Sequence, residues 1–570
     1  LEANPPDIPE KNALNVPDPP PTLRESGKHM TRAYFFNFLS VYGVIPINLL
    51  LTILVARFLS PDNWGIYIYV IMLLSGSQIV MVFIPPSISA VILYQIPEFI
   101  VKKEFSRVKG YISYFIKIKS IVAFIFMLGF MITALFLLQY PKTSLHAKLI
   151  LIIAPIIITQ EIVGIFLYLS SAMKQFDINT KLRIQEKIIY FFGYLILFLV
   201  DWNETMKLIG MGIIVNITLF AFLPKLLIQY KRDFGQYTSD KISRNDLKSS
   251  VLFGTSFSIT NSASIAYEQV YYGLINLFGL PRFNTYSNIC QNLSNEIIQG
   301  FSPPLGPVLS DLEKTQQRDK MILLFKKGFN LSNILIGFLI GVLFFAAEIY
   351  ILLIYPPEYL DAVKYVQTYV LIVYFINVIN NYRNLYSITN YVKKMWQIDL
   401  IIVIYSSIFA IFGMILFGFM GLILSRVLGF AIGSLLFWYF GAYKLNEFKL
   451  PLWLIFKHLF ALFVIIIIIL CSRNYIEKII LTESVFFNIL NFLNQILPGF
   501  DGLIYLNQIK VILNGIICII LFGLIYISYI IIFRAISKQD IDQFDRLNFR
   551  IPFKKQISAV LKRILRNEKL

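Results

Sequence analysis

"FIPPS", Phe83–Ser87, sets a proline pair inside an apolar run that otherwise reads as helix, and "FSPPL", Phe301–Leu305, repeats the device 218 residues later. Other matches keep nearly that spacing. "LSPDNWGIY" (Leu59–Tyr67) corresponds to "GLPRFNTY" (Gly279–Tyr286), with its proline 220 and its tyrosine 219 residues on, and Leu167–Tyr168 corresponds to Leu385–Tyr386 at 218. Each match is weak alone, but the common offset predicts an internal duplication.

The composition says what is duplicated. The chain has 570 residues, 57% of them hydrophobic and 15% charged, with a mean hydropathy of +0.69. No soluble fold of this size is so apolar. Runs such as "LFALFVIIIIILC" are continuous rather than alternating, so they predict membrane-crossing helices and not a barrel. The expected fold is an all-α polytopic membrane protein of about 14 transmembrane helices, arranged as two pseudo-symmetric six-helix lobes plus two C-terminal helices. The first span runs from Ala33 to Phe58, the fifth from Ile188 to Val200 and the last from Val511 to Phe533. An even number of spans per copy gives both copies one orientation, related by a two-fold axis along the membrane normal. Two such lobes rocking against each other enclose a cavity with alternating access.

Charge fixes the expected orientation. A net charge of +18 would suggest nucleic acid in a soluble protein; here it reflects basic cytoplasmic loops, and no nucleic-acid partner is expected. With the N-terminus inside, inner segments hold about 41 of the 51 basic residues, which also favours an even span count. The expected organisation is a disordered, proline-rich cytoplasmic tail (1–32), a first lobe (33–230), a cytoplasmic linker (231–249) and a second lobe (250–442). Two last spans with an outer interfacial helix follow (443–533), then a basic amphipathic cytoplasmic tail (534–570). "ESVFFNILNFLNQILPGF" is assigned to the interfacial helix because Asn488, Asn491 and Asn494 share one face and "LPG" stops it. Counting it as a span would put the basic tail outside. No cleavable signal is read in the first thirty residues.

Three cysteines (Cys290, Cys471, Cys518) and three histidines (His29, His146, His458) are scattered, so they form no disulfide framework, metal site or haem site, and no cofactor is expected. They read as apolar filler. "NET" at Asn203 is a glycosylation sequon in an outer loop too short for easy access.

Each proline pair (Pro85, Pro86; Pro303, Pro304) removes two backbone donors, so each second-span helix must bend or end there. Opened backbone is tolerated in a membrane where protein or water covers it, which would turn both breaks toward the cavity. The alternative is that each pair terminates its helix at the cytoplasmic surface.

Several stretches resemble a known family. "ARFLSPDNWGIYIYVIMLL" is similar to the first-loop signature of O-antigen-type polysaccharide-biosynthesis flippases of the multidrug/oligosaccharidyl-lipid/polysaccharide exporter superfamily. "EIYILLIYPPEYLDAVKYVQTYVLIVY", "FGFMGLILSRVLGFAIGSLLFWY" and "ISKQDIDQF" also resemble its pattern, and together the likeness spans most of residues 30–545. It implies fourteen helices in two lobes and movement of a lipid-linked oligosaccharide from the cytoplasmic to the outer leaflet of the plasma membrane. The substrate would be a glycan on a polyprenyl or dolichyl phosphate or pyrophosphate. The resemblance carries no catalytic motif, so no enzyme activity is implied. The proline-rich N-terminus departs from the family pattern.

Charges inside spans are costly and therefore candidates for function. Glu161, Glu268 and Glu296 could couple transport to H+ or Na+, or serve as fixed counter-ions to arginines. Arg383 and Arg426 could clamp an anionic headgroup, with Arg57 and Arg282 at the outer mouth; each could instead be structural. Asn288, Gln291, Asn292, Asn295, Glu296 and Gln299 form a polar stripe on the eighth span, and Asn261, Glu268 and Gln269 add to it from the seventh. Such groups suit sugar hydroxyls, or simply bond helix to helix.

A monomeric flippase in contact with membrane lipids is the leading expectation. A cation-coupled multidrug or toxin antiporter is the nearest rival, disfavoured because the first span has no acid. A membrane glycosyltransferase is a third reading, for which no paired D-x-D arrangement is found.

Overall fold

A computed structural model describes residues 43–86, 88–173, 175–240, 242–301, 317–388, 392–444, 450–480 and 506–532. The expected N-terminal tail, interfacial helix and basic C-terminal tail lie outside the described residues, as do Pro303 and Pro304.

The described chain is helical, with a lone bridge between Phe83 and Pro86. In order the helices are α1 (Ile45–Phe58), α2 (Pro61–Ser75), α3 (Gln78–Met81), α4 (Ile88–Tyr94), α5 (Ile96–Val101), α6 (Phe105–Leu137), α7 (Ser144–Ile153), α8 (Ile156–Ala172), α9 (Phe176–Leu199) and α10 (Glu204–Phe234). There follow α11 (Arg244–Leu277), α12 (Arg282–Phe301), α13 (Arg318–Ile354), α14 (Ala362–Tyr369), α15 (Ile372–Ile388), α16 (Val392–Lys444), α17 (Leu452–Ile480) and α18 (Leu506–Ile532).

Among the described residues, eight helices are long and apolar enough to cross a membrane, or nine if α7 and α8, bent by 40° at Pro155, form one span. One of the eight is two spans in continuous sequence: α16 reverses at Gly418, whose φ of 59° and ψ of −146° belong to a region open almost only to glycine. Three more helices are long but too polar to pass on apolarity. These are α9, α11 and α12, and each turns polar groups toward the interior.

Local chemistry sets the helix starts. Pro61 occupies the first turn of α2, where a missing N–H costs nothing. Ser243 Oγ accepts from Asp246 N (3.1 Å) to cap α11. Asn203 Oδ1, in the "NET" sequon, accepts from Met206 N (2.9 Å) and caps α10.

Helices α1–α10 pack chiefly among themselves and α11–α16 likewise, while α17 and α18 lie against α13. Tyr526 Oη donates to the Ile334 carbonyl (3.1 Å) where α18 meets α13, and buried His458 is held between Asn330 and Tyr529 (3.0 and 3.1 Å). Between the two groups, α2, α3 and α4 pack along α11, and α2 packs against α12. The two stretches that the repeat equates therefore meet, and each opens the second helix of its lobe. In the first lobe the second-span helix ends just before its prolines: α2 stops at Ser75, α3 carries the span on to Met81, and a turn leads to Pro85. The chain resumes as α4 at Ile88.

Candidate functional site

A cavity of about 1880 Å³ lies within the first lobe and is closed on one side by α11 and α12. One face of α9 forms a wall: Asn179, Arg183, Glu186, Lys187, Tyr190 and Tyr194 recur at three- and four-residue spacing. Opposite stand Asn261 and Ser264 of α11 and Asn288 and Asn292 of α12. Trp64, Tyr67 and Tyr355 add aromatic surface, and Tyr190 stacks on Tyr194 with ring centroids 5.9 Å apart.

The wall carries charge of both signs. Lys119 of α6 lies 3.0 Å from Glu161 of α8, and its Nζ also donates to the Met81 carbonyl at 2.7 Å. Only 6% and 15% of these two side chains are exposed, so the pair substitutes for hydration that neither group has. Lys187 stands 3.9 Å from Glu186, with its ammonium 5.4 Å from the centre of the Tyr190 ring.

At the Pro61 end the two lobes are joined. Arg282 Nη2 donates to Asp62 Oδ2 (2.9 Å), Thr285 Oγ1 to the Pro61 carbonyl (2.7 Å) and Asn284 Nδ2 to the Gly65 carbonyl (3.2 Å). Tyr359 Oη donates to the Leu59 carbonyl (3.0 Å). Burial pushes the Tyr359 phenol above its ordinary value, so it remains a neutral donor. Within the first lobe, Glu204 Oε2 accepts from Ser60 N, Ser60 Oγ and Asn63 Nδ2 (3.1, 2.9 and 2.6 Å). That carboxylate sits at the N-terminus of α2, where the helix dipole favours an anion.

Between the ends, Ser258 and Ser262 of α11 donate to the carbonyls of Val82 and Ile79 (2.9 Å each). Backbone freed where α3 stops is thus bonded across the lobe interface, while Val82 and Ile88, flanking Pro85 and Pro86, line the cavity. At the far end of α11, Ser250 Oγ donates to Gln95 Oε1 (2.7 Å) and Arg107 pairs with Asp246 (2.6 Å).

Of the residues singled out from the sequence, Glu161, Asn261, Asn288 and Asn292 line the cavity. Arg426, Glu268 and Gln291 come together elsewhere. Arg426, 5% exposed, is ion-paired with Glu268 and ringed by Tyr267, Tyr271 and Tyr369, whose centroids lie 4.9 to 5.4 Å from its guanidinium. Gln291 donates to the same carboxylate (3.1 Å). Gln269 bonds the Met72 carbonyl across the interface. Arg383 pairs with buried Asp399 and lies over Phe437. Arg57 is exposed at the end of α1, and Arg282 is engaged by Asp62. Asn295, Glu296 and Gln299 lie on α12, but their side chains are outside the described residues.

Lys119, Arg183, Glu186, Lys187, Glu204 and Asp399 do not stand out in the sequence. The α9 charges fall before the apolar window at Ile188, although the helix begins at Phe176. Their signal is the helical spacing of charges running into the tyrosines.

No protein-family model and no curated protein matches the sequence. Solved structures do resemble the fold. The lipid II flippase MurJ in an inward closed conformation aligns with a TM-score of 0.55 at 14% identity, covering 88% of this chain and 98% of that one. An inward-facing multidrug-resistance MATE family transporter of the MOP superfamily gives 0.54 at 12% identity, covering 71% and 94%. A Vibrio cholerae MATE transporter gives 0.51 at 14%, covering 74% and 97%. At these identities the likeness is one of architecture: the chain has the all-helical, two-lobe membrane fold of the MOP-superfamily transporters.

Proposed function

We propose that this protein is a transporter that carries an anionic, lipid-linked glycan between leaflets by alternating access. The observation that supports it is the wall of the large cavity. Arg183, Lys187 and Lys119 offer cations for a phosphate or pyrophosphate, while Asn179, Asn261, Asn288 and Asn292 offer amides to sugar hydroxyls. Stacked tyrosines supply flat apolar surface for sugar rings. In this reading Arg383 and Arg426 act as structural cations, each neutralised by its own carboxylate. In this reading the Asn179 end faces the cytoplasm and the Pro61 end the outside of the plasma membrane, an orientation that the basic loops support.

One observation favours a second reading, a cation-coupled multidrug antiporter. Glu161 and Glu186 stand among aromatic rings in the same cavity, a setting that also suits an organic cation. Leaflet-specific probing in proteoliposomes separates the two. A labelled lipid-linked oligosaccharide should reach the protected leaflet only when the protein is present. Protein-independent movement, or efflux of a cationic dye without glycan movement, overturns the flippase reading.

A further inference from the structure

The Lys119–Glu161 pair is the most enclosed charge on the cavity wall, and it does not stand alone. The same ammonium that meets Glu161 also holds the Met81 carbonyl, where α3 ends and the turn toward Pro86 begins. That turn is the one Ser258 and Ser262 bond from the other lobe. One side chain therefore touches the cavity, a carboxylate and the lobe interface.

We propose that Lys119 and Glu161 form a counter-ion exchange site. An anionic group entering the cavity takes Lys119 as its partner, and Glu161, left without a cation in a poorly hydrated wall, takes up a proton. The balance is simple: one carboxylate–ammonium contact is replaced by one anion–ammonium contact, and a solvent proton bonds to a Glu161 carboxylate oxygen. Net charge at the site is unchanged for each anionic charge neutralised. A carboxylate keeps its charge away from water only while a cation or donors hold it, so displacement and protonation occur together. Transport coupled this way moves the anion and the proton in the same direction. The inference rests on the proposed anionic substrate and specifies how that substrate is coupled.

Among the described residues, none of the other charged groups on the cavity wall forms an ion pair with Glu161. On α9 these are Arg183, Glu186 and Lys187, of which Lys187 is shared with Glu186. From α10 the cavity receives Met211, Val215, Leu219 and Phe222, and from α11 Asn261, Ser264 and Ile265, none of them charged. On α4 the described cavity residues are Ile88 and Ser89, and Lys102 and Glu98, at the end of α5, pair with each other at 2.7 Å. Tyr168, on α8 itself, also lines the cavity.

The test is proton uptake measured on the detergent-solubilised full chain with a pH-indicator dye. The probe is UDP-N-acetylglucosamine, a sugar diphosphate diester whose own charge is constant near neutral pH. Uptake of about one proton per bound diphosphate is expected. Glu161→Gln should bind the probe and take up none. Lys119→Met can disturb folding, so the neutral double variant Lys119→Met/Glu161→Gln is compared with Glu161→Gln alone, and its binding should be weaker. Binding without uptake in the wild type, or unchanged uptake in Glu161→Gln, overturns the exchange site while leaving the anionic substrate standing. Absence of probe binding in the wild type removes both.

Discussion

Gly65 of α2 lies so close to the start of α12 that a Cβ on it would come within 1.9 Å of the Pro281 carbonyl oxygen. This close approach joins the two repeat-equivalent loops and leaves no room for any side chain. Together with Asn284 and Thr285 bonding the same stretch, it makes this end of the lobe interface a close-packed seal.

Enlarging Gly65 should therefore hold the seal apart while each lobe stays folded. In Gly65→Val, a cysteine placed at Thr285, buried in the parent, should become reactive toward a membrane-impermeant thiol reagent. The experiment needs Cys471 removed, since it is exposed. Labelling that stays at the parent rate would mean that this end does not depend on the close approach of Gly65 to Pro281.

Arg426 and Glu268 are expected to matter for stability. Removing one partner of a buried ion pair costs about 3 to 5 kcal/mol, because the other charge is stranded. Arg426→Met should lower the thermal unfolding midpoint sharply, and Arg426→Met/Glu268→Gln should recover part of the loss. A stable Arg426→Met protein that has lost only substrate binding would return Arg426 to the substrate site.

The α9 charges predict the opposite pattern. Arg183→Gln and Lys187→Gln face the cavity, so unfolding should barely change while affinity for an anionic probe falls about tenfold or more, the equivalent of one charge-assisted hydrogen bond. Equilibrium binding alongside thermal unfolding checks both halves.

At Gly418 the α16 hairpin turns through a conformation that a Cβ resists. Gly418→Ala should cost about 1 to 3 kcal/mol in unfolding free energy through the backbone alone, since the added methyl would point into open space. An unchanged midpoint would show that the turn relaxes.

Much of the architecture can be read from the chain. The repeat offset places Pro61 opposite Pro281, and apolar runs locate most helices, because lipid demands long unbroken segments. Helices that carry a polar half leave a weaker signal. A fifth span begun at Ile188 misses Arg183, Glu186 and Lys187, which a window tuned to lipid discards although they share its helix. Lys119 escapes for the reverse reason: it and Lys117 are both set in the apolar run of α6, and no local pattern tells the buried lysine from the exposed one. Which arginine meets which carboxylate is a tertiary fact: Arg426 and Glu268 are 158 residues apart, and no local pattern joins them.

Alternating access requires the lobes to part at the Pro61 end during each transport cycle, and the Asp62–Arg282 ion pair is the place to measure it. Asp62→Cys/Arg282→Cys, in a background lacking the three native cysteines, is linked with a short bifunctional thiol reagent in proteoliposomes and glycan movement is followed. Transport should stop on cross-linking and return when a cleavable linker is reduced. Full transport by the cross-linked protein would show that the lobes do not part there.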